Sequence, residues 1–224
     1  MTKQRQSITL RDVSNYNQTA FEYFTGVGSQ KTPVKFKSLM AAITYCCSKI
    51  GIMLRSGGAK GADLFFESGI PQSDYEYSEI IHTDQNMSKR SYRTFKIKDS
   101  LAKMEAMDFI QKNSIHENWE NIINNSGAIF SVGAHIRNIF QVVGLNIFTP
   151  KLSKFLICYT PDGASTLETV SESTGGTRTA IRTAITHGIP VFNLANKEHL
   201  TRIHAWVSRF EDCPIKVPPL ISYF

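Results

Sequence analysis

Apolar residues fall along this chain in alternating blocks, a compact run followed by a longer stretch at helical spacing. Phe21-Glu22-Tyr23-Phe24 is the first compact run and enters the glycine-rich turn Gly26-Val27-Gly28-Ser29. Thr32 and Pro33 then read as a helix start, with Thr as N-cap and Pro at the first helical position. Phe36, Leu39, Met40, Ile43, Cys46, Cys47 and Ile50 recur at the spacing of one helix face, and Gly51 stops the run. Ile52-Met53-Leu54 predicts a short buried strand that enters a second glycine turn. Ala62, Leu64, Phe65 and Phe66 then begin a second helix, which ends at Gly69. Strand and helix alternating in this way predict a parallel sheet with right-handed crossovers, an α/β fold of the Rossmann-like kind with helices flanking a mostly parallel sheet.

The middle of the chain is less regular. Tyr75 to His82 reads as a third strand and Asp99 to Asn113 as a helix with Leu101, Met104, Ala106, Met107 and Ile110 at its apolar positions. Trp119 to Gly144 predicts one or two further helices, with Asn125-Ser126-Gly127 as the break. Lys154 to Tyr159 returns to strand character and stops at the turn Thr160-Pro161-Asp162-Gly163. After a polar loop over 164–174, a third glycine turn launches a helix carrying Ala180, Ile181, Ala184 and Ile185, closed by Gly188. Ile189 to Leu194 is a last core strand and Glu198 to Phe210 a last helix. The expected organisation is a polar lead-in over 1–19 and one domain over 20–224, with a less regular helical insertion around 83–150.

The chain has 224 residues, 42% of them apolar, which suits a single core, and no apolar run is long enough to span a bilayer. The N-terminal residues are polar and nothing behind them resembles a signal peptide. The four cysteines form no Cys-x-x-Cys pair and no metal spacing, so they read as buried free thiols of a reducing cytosol. Charge changes the picture in one place. No Lys or Arg lies between Lys60 and Lys89, where acids accumulate; then Lys89, Arg90, Arg93, Lys96 and Lys98 arrive without an acid among them. Such a run is ordinarily a solvated face. Because Tyr92 and Phe95 interleave with it, Lys89, Arg90, Tyr92 and Arg93 are also candidate nucleic-acid contacts.

The candidate chemistry lies in the three glycine turns. They are Gly26-Val27-Gly28-Ser29, Arg55-Ser56-Gly57-Gly58-Ala59-Lys60-Gly61-Ala62-Asp63, and Gly175-Gly176-Thr177-Arg178. A glycine turn between strand and helix brings backbone N–H groups and a helix N-terminus close to an anion. In an open parallel sheet these loops meet beyond the carboxyl ends of the strands. Neither the dinucleotide fingerprint G-x-G-x-x-G nor a phosphate-loop Gly-Lys-Ser/Thr occurs, which argues against nicotinamide chemistry and nucleoside-triphosphate hydrolysis. Asp63 reads either as a helix-dipole partner or as a hydrogen-bond acceptor for a ribose hydroxyl or a loop amide. Arg178 stands close enough to the third turn to reach an anion. His116, Trp119, His187, His199 and His204 have no companions at ligand or triad spacing and read as structural.

These motifs in this order, Gly26-x-Gly28-Ser29, then Ser56-Gly57-Gly58-Ala59-x-Gly61-Ala62-Asp63, then Gly175-Gly176-Thr177, resemble the SLOG superfamily. That superfamily joins DprA-like DNA-processing proteins, Lonely Guy phosphoribohydrolases and sensor domains for NAD-derived signals. Arg137-Asn138-x-x-Gln141-Val142-Val143-Gly144, followed by Ile157 to Gly163, is similar to phage-encoded DprA-like members. The resemblance implies a Rossmann-like fold, a nucleotide-related ligand and a phosphate contact from Arg137. In the enzymatic Lonely Guy branch an Arg in His-x-Arg-Lys pairs with a Glu in Gly-Gly-x-Gly-Thr-x-x-Glu. Here His135-Ile136-Arg137-Asn138 has Asn in place of Lys, and Ala180 stands where the Glu would fall. An alanine neither stabilises an oxocarbenium-like centre nor activates water.

Three functions follow, in order. The first is non-catalytic binding of a nucleotide or nucleotide-derived signal such as an ADP-ribose derivative, as a sensor or a sequestering protein, with a counter-defence role if the chain is phage-encoded. The second is a DprA-like single-stranded DNA binder. The third is a nucleoside-phosphate N-glycoside hydrolase using Glu168 or Glu172. The expected ligand set is Gly26, Val27, Gly28, Ser29, Arg55, Ser56, Gly57, Gly58, Asp63, Arg137, Asn138, Gly175, Gly176, Thr177 and Arg178. No metal and no further cofactor is expected; the chain reads as cytoplasmic, not membrane-bound, and as a homo-oligomer.

Overall fold

The computed structural model describes residues 6–8, 21–82 and 94–224. Its strands are β1 (Gln6–Ile8), β2 (Glu22–Gly28), β3 (Ile52–Ser56), β4 (Glu79–His82), β5 (Thr94–Ile97), β6 (Leu156–Tyr159) and β7 (Val191–Asn193). They form one seven-stranded sheet in the order β1-β5-β4-β3-β2-β6-β7, and every neighbouring pair is parallel. From β2 the chain moves outward through β3, β4 and β5, then crosses back to β6 and β7 on the other side. The strand order therefore reverses between β2 and β6, the position at which Rossmann-like sheets open a crevice beyond their carboxyl ends.

Helices cover both faces, as a parallel sheet requires. On one face α1 (Lys37–Lys49), α2 (Ala62–Glu67) and α7 (Lys197–Val207) enclose a core of Phe24, Leu39, Met40, Ile43, Leu54, Phe66, Ile157 and Leu200. On the other, α3 (Ser100–Lys112), α4 (Trp119–Ile123), α5 (Ile129–Val143) and α6 (Arg178–Thr186) enclose Ile81, Phe95, Ile110, Ile139, Phe140, Leu156 and Ile181. Local chemistry sets several boundaries. Asp99 caps α3 by accepting from the amides of Leu101 (2.8 Å) and Ala102 (3.1 Å), and Asn196 caps α7 through Glu198 and His199. Asn125 turns the chain between α4 and α5 by accepting from Gly127.

Four expectations change. The first glycine turn begins later than its sequence suggests, because β2 runs through Gly26 and Val27 to Gly28. Val27 is core, and a side chain at Gly26 would meet Leu54 and Phe66, so neither residue lines a loop. Thr32 does not cap a helix; its hydroxyl donates to the Ser29 carbonyl (2.6 Å), and a single 3-10 turn, Val34–Phe36, precedes α1. The expected lead-in contains β1, which pairs with β5 along the sheet edge. The second half of the basic run is β5, with Phe95 and Ile97 in the core; Lys89, Arg90, Tyr92 and Arg93 lie outside the described residues.

Arg55 also departs from its expected role at the crevice. It is 1% exposed, its Nε sits 2.5 Å from the Glu79 carboxylate, Nη1 donates to the Lys151 carbonyl, and its guanidinium stacks on Tyr23 at 4.0 Å. It ties β3 to β4 and to the chain before β6 from inside the sheet. A buried ion pair loses more when one partner is removed than when both are replaced. Glu79→Leu alone is expected to lower stability by about 3–5 kcal/mol in urea denaturation, and Arg55→Met with Glu79→Leu to recover most of it. Equal losses in the single and double variants would show that the pair is not acting as a unit.

Candidate functional site

The crevice at the switch point is built around Asp63. This carboxylate is 2% exposed in the first turn of α2 and accepts from the amides of Ala59 (3.3 Å), Gly57 and Gly28. Burial pushes its carboxyl above the usual range, against the opposing pull of the Arg137 guanidinium and those three amides. Of the two sequence readings, the loop-amide acceptor is the one the geometry shows. Asp63 joins the first glycine turn to the second. Gly28 closes the same junction sterically, since a Cβ there would stand 2.6 Å from the Tyr159 carbonyl and 2.8 Å from Ala62 Cβ.

This changes what the first two glycine turns can do. The amides of Gly28, Gly57 and Ala59 are engaged by Asp63, and the Ser29 amide donates to the Tyr159 carbonyl at 2.9 Å. Gly57 and Gly58 are themselves buried, with the Arg137 side chain and the Gln141 amide lying over Gly57. The loops that looked like anion cradles are therefore largely a closed floor. Ser56 and Gln141 belong to that floor: both are completely buried, and the Ser56 hydroxyl and both Gln141 amide atoms lack a hydrogen-bond partner among the described residues.

The third turn remains open. Gly175 and Gly176 are exposed, with nothing within 4 Å of an added Cβ at either, and Gly175 takes a positive φ of 66°. Asn138 on α5 reaches this turn, donating through Nδ2 to the Gly176 carbonyl (2.8 Å) while its Oδ1 accepts from Arg137 Nη2 (3.1 Å). Asn138 thus aims the arginine between the second and third turns. Arg137 Nε is buried with no hydrogen-bond partner among the described residues. From the far side Asp162 holds the turn, accepting from Thr174 (2.6 Å), Ser173 (3.1 Å), Thr160 (2.6 Å) and Ala164. Those bonds outweigh its partial burial and hold its carboxyl below the usual range. Thr177 is buried at the start of α6.

No carboxylate stands ready for acid–base work at this turn among the described residues. Ala180 is fully buried in the core, Glu168 is exposed on its loop, and exposed Glu172 accepts from Asn118 at 3.3 Å. Asp63 and Asp162 are both committed to donors of the fold. No group of three or more metal-ligating side chains occurs among the described residues, and none of their helices is long and apolar enough to cross a membrane.

Arg178 sits with a different set of residues. The rings of His116 and His135 meet edge-to-face at 4.6 Å, with Trp119 at 6.4 and 5.8 Å from them respectively. His135 Nδ1 bonds the Thr179 hydroxyl at 2.6 Å, and His116 Nδ1 accepts from the Asn118 amide at 3.2 Å. Burial, then the positive charges of Arg178 and Arg182, push His116 down to about 4. Burial and the charges of His116, Arg178 and Arg137 push His135 down to about 3. His116 therefore does have a companion, which sequence spacing hid because the two lie on different elements. No family model matches the chain, nor does any curated protein or solved structure.

Two predictions follow from these groups. Asp63→Ala leaves three loop amides without an acceptor and Arg137 without its facing carboxylate, so a loss of about 3 kcal/mol or more is expected in urea denaturation. A loss under about 1 kcal/mol would contradict the junction role. The histidine pair is neutral in the fold, with values below the ordinary 6.5. The unfolded chain therefore binds more protons than the fold in acid. The pair's contribution is fully present above pH 6.5 and is lost as pH falls towards about 4, while Asp63, shifted upward, offsets part of the loss at the acid end. The fall in urea midpoint from pH 7.5 to 5 should shrink in His116→Gln/His135→Gln; an unchanged slope would exclude the pair as its source.

Proposed function

We propose that this protein binds a nucleotide or nucleotide-derived signalling molecule, such as an ADP-ribose derivative, without transforming it. The phosphoryl group sits at the Gly175–Gly176 turn against Arg137. One observation carries the reading: Asn138 aims Arg137 at an exposed glycine turn, and the arginine keeps a buried nitrogen without a partner. Guanidinium forks suit phosphate oxygens, and exposed glycine backbone admits them closely. The resemblance to the SLOG superfamily agrees with this reading, as does the location at the switch point between β2 and β6. The replacement of Lys by Asn138 is consistent with it too, since the shorter side chain positions the arginine instead of adding a second cation. Binding without turnover is favoured because Ala180 occupies the catalytic Glu position and the nearby acids are tied to the fold.

Titration calorimetry against AMP, ADP and ADP-ribose tests this. At least one is expected to bind, Arg137→Ala to weaken it about tenfold or more, and the bound molecule to be recovered intact after long incubation. Absence of heat and thermal shift across the panel would end the reading. Release of free base or ribose phosphate would move it to the hydrolase class.

A further inference from the structure

We infer that Arg178, His116 and His135 form a second anion-binding site, one that takes a tetrahedral dianion such as a phosphoryl group. The argument begins with Arg178. Its Nε and Nη1 are buried and lack hydrogen-bond partners among the described residues. The carboxylate that feels its charge, Glu117, is already paired. Glu117 accepts from Arg182 Nη2, which also points to the Val170 carbonyl, while Nη1 points to the carbonyls of Ser114 and Ile115. Glu172 accepts from Asn118. Guanidinium nitrogens buried without an acceptor are costly, and an anion removes that cost directly.

The two imidazoles beside it suit the same occupant. The Asn118 amide occupies His116 Nδ1, so the neutral ring carries its proton on Nε2 and is a donor there. His135 is fixed by Thr179, and Trp119 packs against both rings. The charged groups facing the pair are Arg178 and Arg182 on α6, Arg137 on α5 and Glu117 on the preceding loop. Positive charge is in excess, and the one carboxylate is already paired. A dianion here stabilises the imidazolium forms, so binding takes up protons and tightens as pH falls below the ordinary histidine range. The site does not rest on the nucleotide reading: Arg178 acts on His116, His135 and Glu117, while Arg137 acts on His135 alone of these and otherwise faces Asp63.

Sulfate is the probe, because its charge stays fixed while the histidines titrate. Thermal melts and calorimetry in sulfate against chloride at matched ionic strength, from pH 8 to pH 5.5, should show specific stabilisation. Affinity should rise about tenfold per pH unit toward the acid end, as net uptake of about one proton on binding requires. Arg178→Met should lose the sulfate response while melting no lower than wild type in chloride, since it removes an uncompensated charge. Arg178→Lys, which keeps the charge but not the fork, should weaken the response and serves if the Met variant does not fold. His116→Gln/His135→Gln should bind sulfate without the pH dependence, and Arg137→Ala should keep a sulfate-specific shift, with its pH dependence displaced by the loss of a charge that acts on His135. The inference is overturned if wild-type protein shows no sulfate-specific shift, if Arg178→Met keeps it, or if Arg137→Ala alone abolishes it, which would place the anion in the crevice.

Discussion

A single buried carboxylate holds the carboxyl end of this sheet together. Asp63 draws in amides from the end of β2 and from the turn after β3, and it faces the guanidinium that α5 lays over that turn. Each of these groups is expensive to bury alone: an amide without an acceptor, a carboxylate without donors, an arginine without a counter-charge. Together they satisfy one another, and the consequence is steric as well as electrostatic. With its amides engaged, the loop packs flat enough for Gly28, Ala62 and Tyr159 to converge, which closes the floor beneath the crevice. The rest of the site is arranged on top of that floor.

In the proposed reading, the weight of recognition consequently moves from loops to a helix. In the open-sheet scheme, glycine turns present backbone N–H groups to a ligand and side chains add selectivity. Here two of the three turns use those groups internally, and α5 supplies the side chains that reach the open one. Arg137, Asn138 and Gln141 lie on neighbouring positions of α5 and meet the second and third turns. A rigid helix holds such side chains more firmly than a loop does, which suits a binding role in which geometry must be retained without a chemical step.

Most of the fold was legible because its signals are local. The alternation of compact apolar runs with helically spaced ones marks β2, α1, β3, α2, β6, α6 and β7, and glycines mark the ends of α1, α5 and α6. Two strands were lost to view: β1, inside the stretch read as a polar lead-in, and β5, which carries Lys96 between the core positions Phe95 and Ile97 and so reads as a charged surface. At the site, Asp63, Arg137, Asn138 and Gly176 do come together, since glycine and arginine motifs announce themselves by residue type. What sequence could not reveal was which donors were already taken. The engagement of Gly28, Gly57 and Ala59, the burial of Arg55 against Glu79, and the meeting of His116 with His135 all depend on residues from separate elements. No periodicity encodes such meetings.

The pairing of β2 with β6 has a consequence for how the crevice comes into being. Thr25 pairs with Leu156 and Gly28 with Tyr159, so the two walls of the switch point are joined across most of the chain. Local pairs such as β2 with β3 close over a short crossover, whereas this one must wait until α3, α4 and α5 have been made and folded back. During synthesis the early β-α units and the helix bearing Arg137 can assemble before the candidate site is complete, because its open turn at Gly175–Gly176 emerges after β6. A chain interrupted before β6 would carry the first two glycine loops, Asp63 and Arg137, yet lack the exposed turn that faces the arginine.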